Sequence, residues 1–425
     1  MHNLFEAKDR VIKYFMKNTL FKLVCNSMIY LFIFTGCGDQ EKDLPPKLLR
    51  SSTNAYFYIQ NNNDAIKRVH SIMYNDTTQE YERFKIVHIS DSHLSSISTS
   101  NNYIYPENLI ESVKFANQSQ LKINAIVATG DFISNEKKGN AILFLKSFMK
   151  YYSANNNVPS FLCTGNHDSN IIKQFPNDFL SRKEINSILF KNHTGRNYYY
   201  ADVKNPQGGF FRFISLDMLD QPSNEYNTMF YAYFSQEQID WLGNIALKEN
   251  MTDKHNIIIL EHYPFQKYSP DAKTYLCDGD FVHPWNMIPE IIEAYRSRTT
   301  VKKSFKNKIS AGKDIHVDFN FTTTKGEFVC YLGGHDHCTA HFNIKELENR
   351  NHNLLPQKMI LCTNQAPSEA GRVYNRVIRE ENSLTSNSFC IYAIDTQERN
   401  IYMTFFGAYQ PSDKTDYSDI QCIPY

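Results

Sequence analysis

The chain has no surplus of charge. Its 425 residues carry 45 Lys and Arg against 45 Asp and Glu, a formal net charge of zero. A non-specific nucleic-acid binder needs a positive excess to displace counterions. The balance argues against that class, and no nucleic acid is expected as a partner, although a local basic patch would not show in the total. Gly (16) and Pro (15) are scarce, against roughly 12% of residues in average proteins. That scarcity excludes collagen-like and low-complexity chains. With 42% hydrophobic and only 21% charged residues, intrinsic disorder is excluded too. The nine cysteines include no Cys-x-x-Cys, so the spacing of a Cys-type structural zinc site is missing. No apolar run reaches the roughly 20 residues that a helix needs to cross a bilayer.

One shorter apolar run does occur, at residues 23–34, behind Lys8, Arg10, Lys13, Lys17 and Lys22. A positive start, a short apolar middle and small residues at the end describe a secretory signal. The sequence Phe34-Thr35-Gly36-Cys37 resembles a bacterial lipobox, with Phe34 where Leu is usual. That resemblance implies a signal over residues 1–36, cleavage before Cys37 and a lipid on its sulfur. A more compact signal of the same design begins at Met16, which makes Met16 a candidate start. Residues 37–65 read as a polar tether, and the protein is expected to be exported and held at a membrane of the cell envelope. Seven cysteines then remain, at 163, 277, 330, 338, 362, 390 and 422. An exported chain can pair some of them, but their connectivity is not readable. Nothing in the sequence fixes an oligomeric state.

From residue 84 onward, short apolar runs alternate with helical patterns. The runs cover 84–89, 124–129, 159–164, 256–260 and 328–332, each of strand length. Helical periodicity appears at 106–121, 141–151, 289–296 and from Ser235, where a Ser cap precedes Gln238 by three residues. Alternation of this kind predicts βαβ crossovers and an α/β core with a largely parallel sheet. Residues 197–203 with 209–217, and 389–395 with 400–406, read as antiparallel strand pairs.

The five runs end in Asp91-Ser92-His93, Gly130-Asp131, Gly165-Asn166-His167-Asp168, Glu261-His262 and Gly334-His335-Asp336-His337. Ligands of open α/β sheets bind beyond the carboxyl ends of the strands. Five strands would therefore deliver Asp, Asn and His to one edge. Oxygen and imidazole donors suit divalent Mn, Fe, Zn, Ni or Co. Single elements of this set are common by chance, but the ordered set of five is specific.

This set resembles the calcineurin-like metallophosphoesterases over roughly residues 84–340. The resemblance implies a metallo-dependent phosphatase-like four-layer α/β/β/α sandwich (α+β by some schemes). The domain would span residues 66–345, with a C-terminal β-hairpin extension over 346–425 packed on it. It implies two divalent metal ions, one held by Asp91, His93 and His337, the other by Asn166, His262 and His335, with Asp131 bridging both. His167 would not be a ligand; paired with Asp168, it would sit beside the phosphate as acid or charge stabiliser. A hydroxide bridging the metals would attack phosphorus of a phosphomonoester or phosphodiester. A dedicated cyclic-nucleotide or other diesterase, and a metal-binding lipoprotein without catalysis, are the alternatives. Two positions depart from the family pattern. Ser134 stands three residues after Asp131, where relatives often have Asp or Asn, or in purple acid phosphatases Tyr, which argues against an iron(III)-tyrosinate centre. Glu261 precedes His262 where Gly or His is frequent, and reads either as a hydrogen-bond acceptor behind the site or as a solvated residue.

Overall fold

The computed structural model describes residues 52–74, 82–95, 106–134, 136–153, 157–170, 178–193, 195–220, 232–265, 282–284, 286–306, 313–344, 347, 350–363, 365, 383–408 and 419–425. The expected signal, Met16 and Cys37 lie outside these residues. Among the described residues no helix is long and apolar enough to cross a membrane.

In chain order the elements are α1 (Ser52–Ile72), β1 (Phe84–Ile89), α2 (Pro106–Ala116), β2 (Ala125–Thr129), α3 (Lys138–Ser153) and β3 (Ser160–Cys163). Then come α4 (Arg182–Leu189), β4 (Tyr199–Lys204), β5 (Phe210–Ser215), β6 (Ala232–Tyr233), α5 (Gln236–Trp241), β7 (His255–Leu260), β8 (Val282–His283) and α6 (Met287–Arg296). The last third supplies β9 (Thr300–Phe305), β10 (Ile315–Asn320), β11 (Glu327–Gly333), β12 (Ala340–Asn343), β13 (Lys358–Leu361), β14 (Ser388–Asp395), β15 (Asn400–Gly407) and β16 (Gln421–Pro424).

Two six-stranded sheets carry the fold, in the orders β16-β15-β14-β1-β2-β3 and β12-β13-β11-β7-β5-β4. In the first, β1, β2 and β3 run parallel. In the second, β5, β7, β11 and β13 do. The sheets face each other across an apolar layer that includes Phe84, Ile86, Phe161, Phe211, Phe213, Leu332 and Tyr392. Phe84 stacks on Phe211 at 4.1 Å and Phe161 on Phe213 at 4.3 Å. Such pairs add about 0.5–1.5 kcal/mol beyond their area burial. Helices α1 and α2 pack on the outer face of the first sheet, with α3 against α2, and α6 packs on the second, which completes four layers. Strands β1, β2, β7 and β11 are mostly apolar and buried on both faces because each is covered on both sides.

Two features differ from the sequence expectation. The stretch read as a tether through residue 65 contains the start of α1. Its apolar residues Ala65, Val69 and Ile72 recur at spacings of four and three and are buried, so one face docks although Asn61-Asn62-Asn63 look like linker. The C-terminal strands β14, β15 and β16 are half of the first sheet, because β14 pairs antiparallel with β1 from Phe84↔Ile394 to His88↔Cys390. A buried ion pair sits at this seam. Arg83 Nε lies 3.0 Å from Asp395 Oδ2, with both side chains almost fully enclosed, and its guanidinium covers the Tyr402 ring at 3.9 Å. Breaking such a pair leaves an uncompensated buried carboxylate. Arg83→Ala is therefore expected to lower unfolding stability by about 3–5 kcal/mol, read as a lower denaturant midpoint at unchanged slope. A loss below about 1 kcal/mol would show the pair to be dispensable.

Candidate metal centre

The five predicted runs are β1, β2, β3, β7 and β11, and their carboxyl ends meet across the two sheets. Backbone hydrogen bonds continue past the strands: Asp91 N–H donates to Gly130 O and His93 N–H to Asp131 O, both at 3.0 Å. Gly334 N–H donates to His262 O across the second sheet. The turns are tight enough to force unusual backbone. Asp91, His93, Asp131, His335 and His337 all lie at positive φ, between 44° and 71°. Each costs of order 1–2 kcal/mol for a residue with a Cβ, and strain of this kind persists where surrounding structure over-determines it. Gly130 takes φ +83°, and Gly334 sits so close to Ser90 and Asp91 that a Cβ there would collide with both side chains. The glycines of the motifs thus let the loops approach.

Two side-chain clusters result. In one, Asp91, His93 and His337 converge. His93 Nε2 and His337 Nε2 are 3.1 Å apart, and Asp91 Oδ1 lies 3.2 Å from the latter and 3.7 Å from the former. In the other, Asp131, His262 and His335 converge. Asn166 Oδ1 stands between its imidazoles, 3.1 Å from His262 Nε2 and 3.0 Å from His335 Nδ1. Asp131 Oδ2 reaches both groups, 3.2 Å from His262 Nε2 and 3.8 Å from His93 Nε2. All seven residues that the resemblance names as ligands are therefore in one place.

The clusters fit a cation. Asp91 Oδ1 is buried and faces the imidazole nitrogens of His337 and His93 without a well-aligned donor, an acceptor of the sort a metal satisfies. Burial works against ionising Asp91, yet His262 and His337 hold its carboxyl well below the usual range. Asp131 is also lowered, by His262 and His167 against the penalty of burial. Burial opposes a charge on His262 as well, but Asp131 and Asp91 raise its pKa to about 10. Two enclosed carboxylates that stay ionised make an electrostatic trap for positive charge.

Neighbouring groups fix the donors. His262 Nδ1 lies 2.6 Å from Thr129 O, which leaves Nε2 directed into the site. Ser134 Oγ lies 3.3 Å from His93 Nδ1, so the departure noted in the sequence orients a site histidine. Tyr263 lies edge-on to His335 at 4.1 Å. Gln365 N–H donates to Ser90 O at 2.9 Å, and its Oε1 accepts from Ser92 Oγ at 2.7 Å. No local pattern in the sequence points to Gln365, because its partners lie more than 250 residues away. Glu261 is fully buried and burial pushes its carboxyl up to about 8, which removes the solvated alternative.

Beside the clusters, His167 is partly exposed, with Nε2 3.9 Å from Asp131 Oδ2 and its ring 4.9 Å from that of His93. Burial lowers it to about 4 in spite of Asp131, so the imidazole is neutral near pH 7. Asp168 is placed differently from the implied pairing. Its carboxylate accepts from the backbone N–H groups of Phe132 (2.7 Å), Gly165 (2.8 Å) and Asp131 (3.1 Å). Burial and the charge of Asp131 raise its carboxyl to about 7, against the pull of those donors. Asp168 braces the loop that carries Asp131.

Of the other histidines, His88 is buried between Tyr392 Oη and Thr129 Oγ1, 2.8 Å from each, on the inter-sheet face below the site. The calcineurin-like phosphoesterase family model matches residues 84–339, more than half of the chain. The chain belongs to the calcineurin-like phosphoesterase family. Membership makes it a metal-dependent phosphoesterase, and the Asp and His clusters are groups that could hold a metal ion. A solved structure titled "Structure of PhoD" is similar at a TM-score of 0.41 and 10% identity, covering 80% of this chain and 68% of that one. No curated protein matches significantly. As a calcineurin-like phosphoesterase, the chain departs from the frequent family pattern at Ser134, which lies against His93, and at Glu261, whose buried carboxylate oxygens have no hydrogen-bond partner among the described residues.

Proposed function

We propose that this phosphoesterase is exported, binds two divalent metals and hydrolyses phosphomonoesters or phosphodiesters. The observation that carries the reading is Asp131, whose Oδ2 belongs to both donor clusters. Asp91, His93 and His337 would hold one ion, and Asn166, His262 and His335 the other, with Asp131 shared. Two bound ions would supply charge against the phosphoryl oxygens and an acidified water. The chain's own contribution is placement. Thr129 O and Ser134 aim His262 and His93, and the carboxylate of Asp168 fixes the Asp131 loop. His167, neutral and half-open to solvent at the edge, is placed to donate a hydrogen bond to a phosphoryl or leaving oxygen rather than to act as a standing cation. Export and a lipid on Cys37 are part of the same proposal and rest on the lipobox-like sequence.

The test is a paired assay of an aryl phosphate and its bis-aryl diester after chelation and reconstitution with Mn, Fe, Zn, Ni or Co. Turnover of either ester in many-fold excess over enzyme, lost on chelation and restored by a metal, is the expected result, and the ratio of the two rates assigns the ester class. No turnover with metal bound would favour a non-catalytic metal-binding protein.

A further inference from the structure

Two buried thiols face each other directly beneath the metal centre, one from each sheet. Cys362 follows β13 of the second sheet, and Cys390 lies in β14 of the first. Both are fully buried in the layer between the sheets, near enough for each to act on the other's ionisation. Cys362 Sγ also donates to His88 O at 3.2 Å, and His88 is the cross-strand partner of Cys390. Cys390 Sγ lies 3.8 Å from Thr339 Oγ1. The remaining described cysteines are 163, 330, 338 and 422.

We propose that Cys362 and Cys390 close to a disulfide that staples the two sheets when the chain folds under oxidising conditions. Cys362 Sγ reaches the backbone of His88, which is paired with Cys390, so the two side chains lie in neighbouring positions of one buried layer and the short approach a disulfide needs calls for only a local shift. The pair is asymmetric in a useful way. The neighbouring Cys362 thiol lowers the Cys390 thiol from its ordinary value, whereas burial pushes Cys362 up, so one member has the greater thiolate character that attack requires. Closure forms one S–S bond and breaks two S–H bonds. Two electrons and two protons pass to a disulfide-bearing oxidant, which leaves as two thiols. Full burial means that this exchange happens as the chain folds and that the finished bond is shielded from reductant.

The position gives the bond a task. Cys362 N–H donates to Gly333 O at 3.0 Å, two residues before His335, and His88 stands three residues before Asp91. Asp91 and His93 come from one sheet and His262, His335 and His337 from the other, so the staple holds together the two halves of the centre. This inference stands on the thiols alone and does not depend on the phosphoesterase reading.

The experiment refolds the full chain with reduced and oxidised glutathione, blocks free thiols under denaturing conditions and maps the peptides by mass spectrometry. The expected result is an unalkylated, cross-linked Cys362–Cys390 pair about 2 Da lighter than the two thiol peptides, with Cys163, Cys330 and Cys338 alkylated. The melting temperature of the oxidised protein should fall by roughly 5–10 °C on reduction under denaturing conditions and refolding in reductant. That difference should vanish in the variant carrying Cys362→Ala and Cys390→Ala. Alkylation of both Cys362 and Cys390 in the oxidatively folded protein overturns the proposal. The peptide map of the unsubstituted chain decides the matter even if the double variant fails to fold.

Discussion

Asp131→Ala is expected to reduce phosphoester turnover by about 10³-fold or more and to lower the metal bound per chain. Asp131 Oδ2 reaches His262 and His93 in different clusters, while its Oδ1 accepts the His167 backbone N–H at 2.8 Å. Alanine removes the group common to both clusters and frees the His167 loop at once. Metal-assisted charge stabilisation is worth several kcal/mol, and each 1.4 kcal/mol or so is tenfold in rate. The fold should survive, because the lost contacts are polar and local while the inter-sheet layer is untouched. Elemental analysis after gel filtration and initial rates with excess metal check the two halves of the expectation. A variant with full activity would defeat the assignment of Asp131.

Asp168→Ala is expected to lose stability as well as activity, and that combination separates two roles. The carboxylate accepts three backbone N–H groups, and each buried donor left without a partner costs about 1–3 kcal/mol. The three share one site and will not add fully, so a loss of about 3–5 kcal/mol is expected, with the Asp131 loop released. Asp168→Asn keeps one acceptor and should fall between. A residue acting only as the partner of His167 would behave otherwise. Both Asp168→Ala and His167→Ala would then slow turnover by similar factors at unchanged stability. Chemical denaturation of the three variants, with kcat measured at saturating metal, distinguishes the cases. Unchanged stability in Asp168→Ala would refute the brace.

Much of the site was legible because its signal is local. Each donor follows directly on an apolar run, and the order of Asp-x-His, Gly-Asp, Gly-Asn-His-Asp, His and Gly-His-x-His can be read without knowing which strands are neighbours. The groups that aim those donors were not legible in the same way. Ser134 was visible only as a departure, and Gln365 reaches Ser90 and Ser92 across more than 250 residues. Helix α1 was hidden because its polar face carries a run of Asn and only a narrow apolar stripe docks.

The sequence by itself determined the strand ends, the identity of the donors and the class of chemistry, since short apolar runs and oxygen and imidazole side chains are local properties. It also set zero net charge, which leaves no overall positive surplus. Only the tertiary structure decided that the five strands divide between two sheets, that β14 seats beside β1, that Asp168 serves the backbone, and that Cys362 meets Cys390. The physical reason is the same in each case. These features are contacts between segments far apart in the chain, and burial between two facing sheets, rather than any local propensity, selects them.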